Sequence, residues 1–169
     1  MTRLTSKKQI IVCADDFGQN VAISEGIVQL AEQKRVNAIS CMVNSEFWYD
    51  AYPALLGLQS STYIGLHLNF TQGHALSDAW RNRHGTLFTG LPALLKHAYL
   101  SQLDTVAIRS EIKAQFEVFH QSMKAWPDFI DGHQHIHQLP GIREILIDVC
   151  ADLPVDTFIR KTTNCNRYI

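Results

Sequence analysis

Three histidines recur at every second position in residues 131–137, directly after the apolar pair Phe129 and Ile130. Alternate side chains of an extended strand point to one face. We therefore expect the imidazoles of His133, His135 and His137 to share one side near the end of a strand. Imidazole binds metals and titrates near neutral pH, so this segment indicates a metal site or a proton-transfer site.

Acidic residues follow a second apolar segment, residues 9–14, where Asp15 and Asp16 stand side by side. A third apolar segment, residues 63–66, leads into His67. A catalytic metal needs about three protein ligands and an open position for water. Adjacent carboxylates in extended backbone point in different directions, so one can bind a metal while the other accepts a proton from water. Carboxylates and imidazoles at the ends of separate strands make a metal site the first hypothesis.

Each of these residue patterns has a simpler explanation. Paired aspartates after a strand also occur as turns or helix caps. A histidine in an apolar strand, such as His67, is often a core residue with a satisfied hydrogen bond, and the histidine cluster could be a solvated loop. If His133 is a ligand, Asp131 can lie behind it and orient its ring.

The overall composition is that of an ordinary globular protein, with 46% hydrophobic residues, 18% charged residues and a net charge of -1. There is no Lys/Arg-rich segment, which argues against nucleic acid as a partner. No apolar run approaches the roughly 20 residues that a membrane span requires, so we expect no membrane association. The 4 cysteines form no C-x-x-C pair. This distribution favours a reducing cytoplasm over a disulfide framework.

Strand-like and helix-like segments alternate along the chain, which predicts an α/β fold with a parallel sheet. The predicted caps of the first and the longest main helices are Asn20 and Asp104. The predicted strands are residues 9–14, 36–43, 63–69, a fourth that runs from 129 into the histidine cluster, and 155–160. The predicted helices are residues 21–34, 47–58, 91–100, 104–126 and 141–151, with an irregular loop over 71–88 and a polar tail from 161.

Ligands of parallel α/β proteins gather at the carboxyl ends of the strands. The residues predicted to lie at such ends are Asp15, Asp16, Asn44, His67 and His133. Their shared position strengthens the prediction of a site beyond what any one of the motifs supports.

Three segments of the chain, residues 14–18, 65–69 and 131–137, resemble the motifs of the YdjC-like carbohydrate deacetylases, a family that includes chitooligosaccharide deacetylases. The resemblance covers residues 9 to about 160. It implies a partial or distorted TIM-like β/α barrel and a divalent cation, expected to be Mg²⁺ with Zn²⁺ as the alternative. It also implies Asp16, His67 and His133 as metal ligands and Asp15 as general base. The implied reaction removes an acetyl group from an N-acetylated oligosaccharide.

The sequence departs from the family in its length. A full β/α barrel takes about 250 residues, and nothing here matches the late His-Pro-Gly segment of the family. We therefore expect residues 1–169 to form a single YdjC-like domain that lacks the C-terminal part of the barrel, and that can pair as a homodimer. Asn44, His135 and His137 are candidates for substrate binding or proton transfer. The alternatives are a non-catalytic metal- or sugar-binding remnant of the family and another metal hydrolase, such as a phosphoesterase.

Overall fold

A five-stranded parallel sheet forms the centre of the protein, in a computed structural model that describes residues 10–155 and 157–161. The strands lie in chain order, so each new strand pairs with the one before it. This confirms the predicted parallel α/β class. The strands are β1 (Cys13–Phe17), β2 (Ala38–Cys41), β3 (Tyr63–Leu68), β4 (Phe129–Gly132) and β5 (Phe158–Ile159).

Helices connect the strands and cover the sheet. The predicted caps of the first and the longest helices are confirmed. The Asn20 side chain accepts a hydrogen bond from the Ile23 N–H, and that of Asp104 accepts one from the Ala107 N–H. The helices are α1 (Val21–Glu32), α2 (Trp48–Ala51), α3 (Asp78–His84), α4 (Leu91–Tyr99), α5 (Thr105–Met123) and α6 (Ile142–Ala151). None of the helices in the described ranges is both long and apolar enough to span a lipid bilayer.

The core lies between the sheet and the long helix α5. The buried face of α5 repeats at helical spacing and includes Ile108, Ile112 and Phe116. It packs into one cluster with strand residues such as Leu66 and Ile130, which are fully buried. The polar ends of the strands are thereby held on a rigid support.

The first strand differs from its prediction. It begins at Cys13 and continues through Asp15 and Asp16 to Phe17, whereas Ile10 and Ile11, at 75% and 53% exposed, lie outside it. The prediction placed the strand where the chain is most apolar. The residues that form β1 are instead those that pair with β2, and they include two aspartates. The predicted start at residue 9, Asp156 within the predicted fifth strand, and the tail beyond residue 161 lie outside the described residues.

The segment predicted as an irregular loop, residues 71–88, contains helix α3. Ser77 caps this helix by accepting a hydrogen bond from the Trp80 N–H. The buried carboxylate of Glu111, on α5, accepts hydrogen bonds from the N–H groups of Leu76 and Ser77. The prediction of a loop was wrong because the group that orders this segment lies 34 residues away from Ser77 in the chain.

The prediction of an extended histidine segment was also wrong. Residues His133–Gln138 form tight 3₁₀ turns, in which Gln134 and His135 have positive φ angles of 53° and 61°. The three imidazoles therefore do not share a face. His133 and His137 are buried at 7% and 1% exposure, whereas His135 is exposed.

Candidate metal centre

A β-bulge at the end of β1 separates the two adjacent aspartates. Ala14 pairs with Ile39 and Phe17 pairs with Cys41, so β1 uses one residue more than β2 between these pairs. Asp16 adopts φ +66° within the bulge, a left-handed conformation that Asp and Asn tolerate better than other non-glycine residues. Such a bulge re-aims neighbouring side chains, and the two carboxylates take separate partners.

Asp16, His67 and His133 converge at the carboxyl ends of β1, β3 and β4. Asp16 Oδ1 lies 3.2 Å from His67 Nε2 and 2.8 Å from His133 Nδ1. One ligand atom from each residue lies within 4.8 Å of the others. The His67 and His133 side chains are only 4% and 9% exposed, whereas that of Asp16 is 35% exposed. The group is therefore reached from solvent on the side of Asp16.

Asp131 lies behind His67, and not behind His133 as the sequence predicted. Its Oδ1 is 2.5 Å from His67 Nδ1, and it also accepts a hydrogen bond from the Ser40 hydroxyl. The reason is the register of the sheet, which places His67 directly opposite Asp131 on adjacent strands. With Nδ1 held by a carboxylate, Nε2 of His67 is directed to Asp16, an arrangement that is typical of metal-binding histidines.

The charges in this group favour a cation. Burial disfavours the imidazolium form of His67, but the carboxylates of Asp131 and Asp16 outweigh burial and raise its pKa to about 9. Hydrogen bonds from His133 and His67 hold the pKa of Asp16 well below its usual range. In the metal-free protein a proton on His67 thus supplies the positive charge that the two carboxylates attract.

The donor set fits a divalent cation. One carboxylate and two imidazoles form a mixed oxygen and nitrogen set that suits Zn²⁺ and several other divalent ions. Within the described part of the chain, His133 Nε2 is buried without a hydrogen-bond partner. A buried polar atom of this kind is costly unless a ligand or water satisfies it. These residues could therefore hold one ion, with the exposed side of Asp16 open to solvent.

Asp15 is bound by Arg160, a residue that the sequence did not single out as functional. The guanidinium donates two hydrogen bonds to Asp15, at 2.8 Å each. Its Nη2 also lies 3.0 Å from Asp131 Oδ2. Burial raises the pKa of the Asp15 carboxyl, but the hydrogen bonds and charge of Arg160 outweigh it and hold this pKa below the usual value. Arg160 therefore connects the proposed base with the residue that orients His67.

Cys13, Asp15 and Asp131 form a second group with metal-ligand types within 4.8 Å. The guanidinium of Arg160 contacts both carboxylates of this group, and burial raises the pKa of the Cys13 thiol far above its usual range. A neutral thiol is a poor metal ligand. The two carboxylates of this group already have the positive charge of Arg160 beside them, so they do not require a metal ion.

The remaining predicted residues occupy different environments. Asn44 is buried at 4% exposure and its amide donates to the carbonyls of Gln72 and His74, so it holds the following loop in place. His137 is bonded through Nε2 to the carbonyl oxygen of Arg160. The imidazole of His135, in contrast, is exposed to solvent.

Comparison with known proteins gives a consistent assignment. The family model described as "YdjC-like protein" matches residues 9–167. A carbohydrate deacetylase from Homo sapiens is 30% identical over 147 residues, which cover 84% of this chain and 45% of the relative. A chitooligosaccharide deacetylase from Proteus mirabilis (strain HI4320) is 30% identical over 162 residues, covering 93% of this chain and 62% of the relative. The chain thus spans about half the length of the curated relatives that it matches.

A solved structure has the same fold. It belongs to a protein of Enterococcus faecalis V583 whose name refers to cellobiose-phosphate cleavage, with a TM-score of 0.69 and 21% sequence identity. The alignment covers 87% of this chain and 57% of that one. From the family match over most of its length, together with these relatives, the chain belongs to the YdjC-like protein family.

Proposed function

We propose that this protein is a metal-dependent hydrolase that removes acetyl groups from N-acetylated sugars of the chitooligosaccharide type. The observation that carries the proposal is the convergence of Asp16, His67 and His133 beside Asp15, in a chain whose relatives are named carbohydrate deacetylases. Asp16, His67 and His133 would hold the ion, for which we propose Mg²⁺, with Zn²⁺ as the alternative. When bound, the cation would polarise the acetyl carbonyl and lower the pKa of a water molecule.

Asp15 is the proposed general base. Arg160 keeps its carboxylate ionised and fixed in orientation, while each oxygen retains a lone pair that can accept a proton from water. The same contact weakens Asp15 as a base, since its pKa lies below the usual value. The contact with Arg160 therefore fixes the position and the ionised state of Asp15 but does not make it a stronger base.

A cleft beside the strand ends is the proposed sugar site. It has a volume of about 180 Å³ and lies on the same edge of the sheet as the metal ligands. Gln19 and Gln72, which lie in this cleft, are hydrogen-bonded to each other at 3.2 Å. Amides, a carboxylate and an aromatic ring suit the hydroxyl groups and the apolar face of a sugar. The lining includes Gln19, Ser45, Glu46, Phe47, Gln72 and His74.

The leaving amine needs a proton. We assign the donation of this proton to His135, the exposed imidazole of the cluster. The dispersed free thiols of Cys13, Cys41 and Cys150 fit the reducing cytoplasm in which we propose that the protein works. Pairing of two copies and the single-domain organisation of residues 1–169 remain part of the same proposal.

The test measures acetate released from N-acetylated chito-oligosaccharides with added Mg²⁺ or Zn²⁺. We expect release by the wild type and none by Asp16→Asn or Asp15→Asn. Asp148→Asn, whose side chain is 64% exposed on α6, is the control and should keep wild-type activity.

Calorimetry with the metal and the sugar separates the remaining outcomes. Asp16→Asn should lose metal binding, whereas Asp15→Asn should retain it. Binding of metal and sugar by a folded wild type that releases no acetate would contradict the deacetylase proposal and indicate a binding remnant. Cleavage of phosphate esters in place of acetamides would contradict it in favour of a phosphoesterase.

A further inference from the structure

The backbone of Arg160 is held on two sides at the end of β5. Its N–H donates to the carbonyl oxygen of Ile130 at 2.8 Å, and its own carbonyl oxygen lies 3.0 Å from His137 Nε2. The first contact continues the pairing of β4 and β5. The second comes from the 3₁₀ segment that follows β4, and His137 is 1% exposed there.

The position of this backbone limits where the guanidinium can lie. β5 has only two residues, and its pairs with β4 are Phe129 with Phe158 and Ile130 with Ile159. Such a short strand supplies few ladder hydrogen bonds to hold the residue that follows it. Yet the Arg160 side chain makes three contacts near 3 Å, two with Asp15 and one with Asp131. A clamp outside the strand ladder is therefore needed to keep this geometry.

The state of the His137 ring suits a donor to a carbonyl. Burial lowers the pKa of this imidazole below its usual value, so the ring is neutral at physiological pH and carries one N–H. With the hydrogen on Nε2, the bond to Arg160 is made, and Nδ1 is the bare nitrogen. Among the described residues Nδ1 has no hydrogen-bond partner. It faces Gly132, where a Cβ atom would come within 2.9 Å of it. The glycine thus leaves the room that the ring occupies.

We propose that His137 is a positioning residue, which holds the Arg160 carbonyl and thereby places the guanidinium between Asp15 and Asp131. The inference rests on the proposed function of Asp15 as base. His137 is 1% exposed and its Nε2 is bonded to the Arg160 carbonyl oxygen, so the proposed role requires no contact with substrate or metal. It acts through the backbone of Arg160, across 23 residues of chain.

The first test compares two substitutions of His137. Gln can offer an amide N–H close to the position of Nε2, whereas Leu cannot. We expect His137→Leu to lower kcat by about 10²-fold, as a small misplacement near a reacting group does, with KM and the Mg²⁺ dissociation constant unchanged. His137→Gln should restore most of kcat. His97→Leu, an exposed histidine on α4, is the matched control and should change neither constant.

A double-mutant cycle separates positioning from a general structural role. In an Arg160→Met background, His137→Leu should cause no further loss of kcat, because the group that it positions is gone. Losses that multiply would overturn the proposal, as would a His137→Leu enzyme with wild-type kcat. If His137→Leu does not fold, His137→Met, an unbranched side chain that also lacks an N–H, takes its place and should likewise lower kcat.

A second readout does not depend on activity. In protein labelled with ¹⁵N-arginine, the guanidinium signal of Arg160, assigned through Arg160→Met, should be sharp in the wild type and in His137→Gln and exchange-broadened in His137→Leu. An unchanged signal in His137→Leu would contradict the positioning role. Absence of acetate release by the wild type would contradict only the proposed function, and the NMR comparison would still decide this inference.

Discussion

Asp131 connects three groups around the candidate metal centre, namely Ser40, His67 and Arg160. It is fully buried, accepts from Ser40, holds His67 Nδ1 and faces the guanidinium of Arg160. A buried carboxylate with this many partners is held rigidly, and it fixes which nitrogen of His67 is directed to Asp16.

Asp131→Asn should therefore weaken metal binding while keeping the shape of the side chain. An amide cannot provide the negative charge that orients His67, and loss of such a partner typically costs about 10–100-fold in metal affinity. Titration calorimetry with Mg²⁺ and Zn²⁺ checks this, with Asp148→Asn as an exposed control. An unchanged dissociation constant would show that His67 does not depend on Asp131.

The candidate ligands of this centre could be chosen at the residue scale, but the residues that support them could not. Asp16, His67 and His133 are polar residues at the ends of apolar strands, and that position is visible in the sequence. Ser40 lies inside the buried strand β2 and meets Asp131 across 91 residues, while Arg160 meets Asp15 across 145. Contacts at such separations depend on strand order and register, which no local pattern contains.

At the scale of elements, helix α5 depends on its N-cap residue, Asp104. The Asp104 carboxylate accepts hydrogen bonds from the Ala107 N–H and from Arg83. These contacts lower its pKa to about 2. Because α5 carries much of the core that supports the sheet, the cap of this helix contributes to the site indirectly.

Replacing Asp104 tests this contribution. Asp104→Ala should lower the free energy of unfolding by about 1 kcal/mol, and Asp104→Asn by less, since Asn also caps helices. The pKa of Asp104 is lower in the folded state, so its stabilisation is complete above pH 4 and is lost as the pH falls towards about 2. Urea unfolding of the three proteins at pH 7 and pH 3 measures both effects. The difference between wild type and Asp104→Asn should shrink at pH 3, and a constant difference would contradict the assignment.

Elements with strong periodicity were predicted well, and those that depend on distant partners were not. Helices α1 and α5 follow from apolar stripes and caps that lie within each segment. The 3₁₀ turns after β4 do not, since alternating histidines match strand periodicity equally well. The turns bury His133 against Asp16 and His137 against the backbone of Arg160, and these distant contacts decide the conformation.

At the scale of the whole molecule, the centre joins strands from the beginning, middle and end of the described chain. A bound ion would connect positions 16, 67 and 133, which are close only in the folded sheet. An ion that binds the folded state alone stabilises it by mass action.

The expected result is a metal-dependent melting temperature. At a metal concentration a hundredfold above the dissociation constant, the gain is about 2.7 kcal/mol, or roughly 5–10 °C for a chain of this size. Calorimetric scans with EDTA and with Mg²⁺ or Zn²⁺ measure it. Asp16→Asn, which keeps a side chain that tolerates the left-handed backbone, should show no shift. A wild type that melts at one temperature in all three conditions would contradict the metal site.

The parallel sheet was predictable from the alternation of elements along the chain, and the structure confirms it. The closure of the strands into a barrel is a different matter. The chain spans about half the length of its curated relatives, so barrel closure depends on more than the five strands described, and it remains a prediction.

Beneath His67, the close approach of Gly65 and Phe129 couples two positions on neighbouring strands. A Cβ atom on Gly65 would meet the Phe129 ring at 2.5 Å, so even a methyl group at position 65 requires a smaller residue at position 129. Gly65→Ala alone should lower the melting temperature, and Gly65→Ala with Phe129→Leu should recover part of that loss. In an alignment of homologues the two positions should accordingly covary, with aromatic rings at 129 confined to sequences that keep glycine at 65.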